Sequence, residues 1–309
     1  MMIRTQYPDL FLASMLPAIN ASVMKRFQRD APVYSQVFRV ETSSRSIEQH
    51  SEITGLGNMV EIPEGGDMRY DYSVPGFDKT FVHSQFGLGF KASRLLADDD
   101  RFGIIKKLSS ELGRSAAETI ELAAVSDFNN GFTAGSTAGP DGVALFSTAH
   151  PMVKSGATQA NTLSSAADLD IASLELALTD FRLMKDPAGK MIRLEPKQLI
   201  IPAQQEFAAA EMLKGTMRSD TANNTINAFK NRIGMESFDS ILVWKYLSDA
   251  DAWFIRADKE DIDLIFYWRE RFNVVHEVHF DSRTIKTASW MRFSHGWSNW
   301  YGLYGVPGV

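Results

Sequence analysis

Two clusters in the sequence have the side-chain types that catalysis or metal binding requires. His276, Glu277, His279 and Asp281 lie close together, and imidazole with carboxylate is a usual ligand set for zinc or iron. A spacing of three puts two histidines on one face of a helix but on opposite faces of a strand. The neighbours Val274, Val275, Val278 and Phe280 favour a strand, so cross-strand hydrogen bonding is the expected role. Ser147, Thr148 and His150 stand together in Phe146-Ser147-Thr148-Ala149-His150-Pro151, where a hydroxyl beside a histidine suggests a nucleophile and its base. A triad is assembled in space rather than along the chain, and a residue before proline is biased to extended geometry. A structural role in a loop is therefore expected for His150.

Other signals are weaker. Asp98-Asp99-Asp100 and Asp127-Phe128-Asn129-Asn130-Gly131 offer oxygen ligands, but neither completes an EF-hand pattern, and helix capping accounts for both. The chain contains no Walker A, GxGxxG or GxSxG signature. Gly55-Leu56-Gly57 and Gly87-Leu88-Gly89 come nearest and are expected at strand ends or bulges. Asn20-Ala21-Ser22 and Asn223-Asn224-Thr225 match glycosylation acceptors only in form. Trp290, Trp297, Trp300, Tyr301 and Tyr304 could stack on a ligand or a base. In an acidic chain with glycines between them, a packed β core or a subunit contact is the expected use. No catalytic residue, cofactor or metal is expected.

Composition narrows the classes further. The 309 residues are 44% hydrophobic and 23% charged, which is a globular composition rather than a disordered or collagenous one. The net charge of -6, from 32 Lys and Arg against 38 Asp and Glu, opposes the basic footprint of a nucleic-acid binder. The absence of cysteine removes disulfides, thiol nucleophiles and thiolate metal sites, and fits folding in a reducing compartment. The apolar run Leu10 to Met24 lacks signal-peptide flanks and falls short of the roughly 20 residues of a membrane span. It is expected to pack as an amphipathic arm.

The elements that must position these residues follow from periodicity. Residues 1–52 mix short apolar clusters with Pro8, Pro17 and Pro32, which suits an extended arm with one short helix. Glycines punctuate 53–95, and Met68, Tyr70, Tyr72 and Val74 alternate, predicting strands joined by a long hairpin with its tip at Pro63-Glu64-Gly65-Gly66-Asp67. From 98 to 130 a stripe of Ile104, Ile105, Leu108, Leu112, Ala116, Ile120, Ala123, Ala124 and Phe128 predicts one long amphipathic helix, capped by the three aspartates and stopped in the left-handed region at Asn130-Gly131. A loop with one or two short strands follows to 167. Between 168 and 268 helix and strand alternate: helices over about 169–184 and 204–214, partial helix at 222–233, and strands at 199–201, 241–246, 253–257 and 261–267. A long β-like run covers 273–293. The middle unit reads as a self-contained α/β domain inserted into another.

The order of motifs is similar to that of the major capsid proteins of Mu-like phages and prophages. The hairpin with Pro63-Glu64-Gly65-Gly66, then Phe86-Gly87-Leu88-Gly89-Phe90, then Asp98-Asp99-Asp100-Arg101-Phe102-Gly103 opening a long helix carries the resemblance. Leu145-Phe146-Ser147-Thr148-Ala149-His150-Pro151 after a Gly/Thr-rich loop and the Trp/Gly-rich ending extend it over nearly the whole chain. The resemblance implies an α+β, Hong Kong 97-like fold. Its parts would be an N-terminal arm (1–52), an extended E-loop hairpin (53–95), a peripheral domain (96–167) with a spine helix (98–130), an α/β axial domain (168–268) and a return to the peripheral domain (269–309).

It further implies a structural protein assembling as hexamers and pentamers into the icosahedral head of a tailed phage around double-stranded DNA, without sequence-specific DNA binding. Charged E-loop contacts are expected from Glu64, Asp67, Arg69 and Asp71, and an apolar arm contact from Phe11, Leu12, Met15 and Leu16. Some members of the fold carry a removable scaffolding segment. This sequence begins almost at its arm, so a separate scaffold protein is expected, with a portal and in some heads a decoration protein. Assembly is expected in the bacterial host cytoplasm. Lys79 falls where some members crosslink, but no partner Asn can be named. An encapsulin-like nanocompartment shares the implied fold; a hydrolase using His276, His279 and Asp281 or His150 is the rival from another class.

Overall fold

A computed structural model describes residues 8–29, 31–93, 95–96, 103–135, 139–215, 240–279 and 284–309. The chain opens on helix α1 (Pro8–Phe27), followed by the short turn of helix α2 (Tyr34–Val37). Pro17 lies inside α1 and does not end it, so the expected extended arm is a helix of 20 residues. Proline removes one ladder hydrogen bond and its ring crowds the carbonyl four residues back, and contacts along the helix offset that cost. Ile19 and Val23 bury against Leu112 and Ile105 of the long helix α3 (Ile104–Asn129).

Helix α3 spans 26 residues, about 39 Å at 1.5 Å per residue. Its buried face follows the predicted stripe at Ile105, Leu112, Ala116, Ile120, Ala124 and Phe128, but Ile104 and Leu108 of that stripe are exposed and Ser109, Glu121 and Val125 are buried beside it. The ends differ from expectation. Asp98-Asp99-Asp100 lies outside the described residues, and the residue before the helix is Gly103, at φ 66° with no side-chain cap. At the other end Asn130 is at φ -98°, not left-handed, and its side-chain amide donates to the Ser126 carbonyl at 2.9 Å. Gly131 is needed for room instead: a Cβ there would sit 2.7 Å from the Phe146 ring.

Strands β1 (Arg39–Thr42), β10 (Leu264–Val278), β11 (Thr284–Trp297) and β4 (Ser84–Ser93) form one sheet in the order β1-β10-β11-β4. The run predicted as one long strand at 273–293 is thus the end of β10 and most of β11, paired antiparallel with His276 opposite Thr287. Asp281-Ser282-Arg283 interrupts that run with turn-forming residue types, a mark of reversal that reading it as one strand passes over, and the connection at 280–283 lies outside the described residues. Gly87-Leu88-Gly89 sits mid-strand in β4, opposite Trp290, Ser289 and Ala288, rather than at a strand end or bulge.

A second sheet has the order β12-β9-β7-β8, from β12 (Leu303–Val306), β9 (Trp253–Arg256), β7 (Gln198–Ile201) and β8 (Ser240–Val243). Its strands β7 and β9 are buried throughout, as the apolar runs predicted. Helix α4 (Ile171–Arg182) starts with a reciprocal capping box between Asp170 and Ser173, and α5 (Glu206–Lys214) follows β7. The middle unit is not closed on itself: it takes edge strand β12 from the C-terminal tail, and β10 begins inside 168–268 and runs out of it. The partial helix expected at 222–233 lies outside the described residues. The short pair β5 (His150–Pro151) and β6 (Thr158–Gln159) occupies the loop after α3.

Strands β2 (Ile47–Ile53) and β3 (Pro75–Val82) form a separate antiparallel ribbon. The segment between them, 54–74, has no strand, so the alternation of Met68, Tyr70, Tyr72 and Val74 does not make one. Alternation forms a strand only where one face is buried, and here Tyr70 is 89% exposed and Tyr72 74%. The tail aromatics Trp297, Trp300 and Tyr304 are buried in the main core with Trp244, Phe128 and Phe266. No described helix is long and apolar enough to cross a membrane.

Candidate functional site

The residues that could do chemistry are held by neighbours in structural roles. His276 meets the Thr287 hydroxyl at 3.0 Å through Nδ1 and the Asn20 amide oxygen at 2.9 Å through Nε2. It therefore ties β10 to β11 across the ladder and the sheet to α1. Burial pushes its imidazole pKa down. His279 lies beyond the end of β10 and its backbone N–H donates to the Thr284 carbonyl at 3.0 Å, while Asp281 is outside the described residues. Among the described residues no group of three His, Asp or Glu is placed to hold a metal.

His150 is fully buried, 2.6 Å from Asp141 and 3.1 Å from the Asn161 side-chain oxygen, and stacked on Trp300 with centroids 4.5 Å apart. The Ser147 hydroxyl accepts the Ala149 backbone N–H at 3.2 Å instead of meeting His150. Asn161 also accepts the Ser147 N–H at 2.8 Å and donates to the Leu145 carbonyl at 2.8 Å. The trio thus orders the loop after α3. Asp127 faces His295 at 2.8 Å, and Asn129 donates to the Tyr246 carbonyl, so the second acidic run is also structural.

The exposed feature is the β2–β3 ribbon and its end loop. At its base the His50 Nε2 and Tyr267 hydroxyl are 2.5 Å apart, Phe81 packs on Tyr267 and Ile265, and Asn299 donates to Glu52 at 3.2 Å. Burial pushes the Glu52 pKa up. The neck closes where Thr54 N–H donates to the Val74 carbonyl and Val74 N–H to the Thr54 hydroxyl. Beyond it Leu56, Met59, Met68, Tyr70 and Tyr72 are exposed, Met59 completely.

Glu64, Asp67 and Arg69 are exposed in this loop. Asp71 is engaged by its own chain: it accepts the Gly57 N–H at 2.6 Å, the Tyr72 N–H at 2.9 Å and the Lys154 ammonium at 2.9 Å. Those donors, the Gly57 amide foremost, hold its pKa down to about 2. In the arm, Met15 and Leu16 are half-buried, and Met15 packs against the cluster of Ile19, Val23, Ala92, Ile105 and Leu112. The side chains of Phe11 and Leu12 lie outside the described residues.

Sequence reasoning missed Lys154 and Glu121, which pair with distant residues and carry no local motif. Glu121 is buried on α3 and lines a cleft of about 780 Å³ between α1, α3 and the end of β8. Burial pushes its pKa up, against hydrogen bonds from the Tyr34 and Val33 amides and the Trp244 indole.

A chain whose buried histidines are committed to packing, and whose long loop exposes apolar side chains without cover in its own subunit, has the build of a structural subunit. The chain belongs to the phage capsid protein family, whose model matches residues 78–306. It is a structural major capsid protein. No curated protein matches the sequence. Among solved structures it is similar in fold to one from Mycobacterium phage Adephagia, at 12% identity and TM-score 0.57, with 91% of each chain covered. It is similar also to the capsid of an empty GTA particle, at 12% identity and TM-score 0.56, with 90% of each chain covered. The procapsid of bacteriophage JBD30 matches at 15% identity and TM-score 0.50, over 96% of this chain and 76% of that one.

Proposed function

We propose that the chain is the shell subunit of a tailed-phage head of the Mu-like type, with a Hong Kong 97-like fold, assembling as hexamers and pentamers into an icosahedral shell around double-stranded DNA. In this reading 1–52 is the arm, 53–95 the E-loop, 96–167 and 269–309 the peripheral domain, and 168–268 the axial domain. Helix α3 is the spine. The observation that carries it is the loop 54–74, whose Met59, Tyr70 and Tyr72 have no cover within the subunit. Apolar surface of this kind is stabilised by burial against another chain.

Glu64, Asp67 and Arg69 flank that surface, and charges beside an apolar contact set its register and partner. Met15 and Leu16, with Phe11 and Leu12, extend the arm contact. The shell acts without catalysing a reaction, assembles in the host cytoplasm, and works with a separate scaffold, a portal and in some heads a decoration protein.

Electron microscopy of the protein expressed alone and then with its neighbouring reading frames tests this. Closed shells, or capsomer rings that close when a scaffold is added, are the expected result. A monodisperse monomer under every condition would refute it. Packaged DNA rather than enclosed enzyme separates the head from a nanocompartment.

A further inference from the structure

The loop 54–74 has no strand partner and exposes most of its side chains, yet both of its limbs converge on one cation. The Lys154 ammonium donates to Asp71 Oδ2 at 2.9 Å, to the Tyr72 carbonyl at 3.0 Å and to the Gly55 carbonyl at 3.2 Å. Three donors thus meet three acceptors, drawn from the ascending limb (Gly55) and the descending limb (Asp71, Tyr72). Asp71 reinforces the closure by accepting the Gly57 and Tyr72 amides, and the Lys154 charge lies 5.9 Å from the Tyr72 ring centroid. The Lys154 side chain is only 19% exposed. Among the described residues, every side-chain hydrogen bond reaching the loop from outside it comes from Lys154.

Lys154 stands on a firm base. It lies in the turn between β5 and β6, which is closed by Met152 N–H to the Ala157 carbonyl and Gly156 N–H to the Met152 carbonyl, both at 2.9 Å. The first residue of β5 is His150, buried and fixed by Asp141, Asn161 and Trp300. Body, turn, ammonium and loop therefore form one continuous chain of contacts.

We propose that Lys154 is a positioning latch that fixes the direction of the loop 54–74 in the unassembled subunit, so that the loop is presented to a second copy of this chain in one orientation. The role in assembly rests on the shell reading above; the latch itself does not. Ordering the loop beforehand lowers the entropy lost on contact. A flexible chain with its ends tied only at the Thr54–Val74 neck would sample many directions.

The test is amide hydrogen exchange of the unassembled protein, with electron microscopy of the shells it forms. In Lys154→Met, exchange across 55–57 and 71–73 should accelerate about tenfold while the β2–β3 ribbon and the global melting temperature stay unchanged. Asp71→Asn, which keeps shape and removes the charge, should accelerate the same amides. Lys154→Arg should restore only part of the protection, because a planar guanidinium cannot aim at three converging oxygens as an ammonium does. Fewer regular closed shells should accompany faster exchange. Unchanged exchange in both Lys154→Met and Asp71→Asn would overturn the latch whatever the shells look like. Faster exchange with normal shells would uphold the latch and count against the loop as the neighbour contact.

Discussion

The Glu121 carboxylate accepts the indole N–H of Trp244 at 3.0 Å, joining the middle of helix α3 to the residue that follows strand β8. Its other oxygen accepts the Val33 N–H at 2.7 Å and the Tyr34 N–H at 3.2 Å, at the start of α2. One buried carboxylate thereby satisfies three donors from two distant parts of the chain. The hydrogen bonds compensate for taking a charge out of water.

Glu121→Ala should be strongly destabilising, because it strands two buried donors, the Tyr34 N–H and the Trp244 indole, and the part-buried Val33 N–H. Each unsatisfied group costs about 1–3 kcal/mol. Glu121→Gln keeps one acceptor oxygen, for Val33 and Tyr34, and turns an amide N–H₂ toward the Trp244 N–H, so its loss should be smaller. Denaturant unfolding of the three proteins measures this. Equal stability of the alanine variant and the wild type would contradict the arrangement.

Gly113→Ala should dislodge α1 from α3. Alanine in a helix interior normally stabilises by about 0.5–1 kcal/mol relative to glycine. Here the added Cβ would lie 2.3 Å from the Val23 carbonyl oxygen and 3.2 Å from the Phe27 nitrogen. Those are backbone atoms and cannot rotate away, so the sign reverses. Faster tryptic cleavage after Lys25 and Arg26, with a lower melting temperature, is the expected result.

The contrast between Gly113 and the α3 stripe explains what was legible in the sequence. Leu112, Ala116 and Ile120 announce a buried helix face by spacing alone, and the buried runs Leu199-Ile200-Ile201 and Trp253-Phe254-Ile255 announce strands. A glycine inside a helical stripe gives no sign that another helix will approach it. Pro17 misleads in the opposite direction, since packing of Ile19 and Val23 on α3 outweighs the lost backbone hydrogen bond and the crowding of the ring. The strand lent by Leu303–Val306 is a long-range pairing that no local pattern records, whereas the β10–β11 reversal is local and coincides with the polar Asp281-Ser282-Arg283. His276 was readable because period-two alternation placed it opposite a partner, whereas the Lys154–Asp71 contact joins residues 83 apart.

His276→Gln should cost about 1 kcal/mol or less, since the net worth of a part-buried neutral hydrogen bond is of that size. His150→Ala should cost more, because it leaves Asp141 without its partner and opens a void against Trp300. Treatment with a chelator should leave the melting temperature of the wild type unchanged. A chelator-dependent drop that disappears in His276→Gln would restore a metal reading for that strand.

Stability should depend on pH through His295, which faces Asp127 across the α3–β11 contact at 2.8 Å. Burial by itself lowers the imidazole pKa, but the Asp127 charge and hydrogen bond outweigh it and the net direction is upward from 6.5. A folded-state pKa above the unfolded one means that the native protein holds this proton more tightly. The resulting stabilisation is complete below about pH 6.5 and is lost as pH rises through the raised folded value. The advantage of the wild type over His295→Gln in thermal unfolding should therefore be largest near pH 6 and shrink toward pH 9. In Asp127→Asn the counter-charge is gone and burial dominates, so the His295 pKa should fall below 6.5 when followed by NMR. A wild-type advantage that grows with pH, or an imidazole pKa unmoved by Asp127→Asn, would show that the pair does not hold the proton.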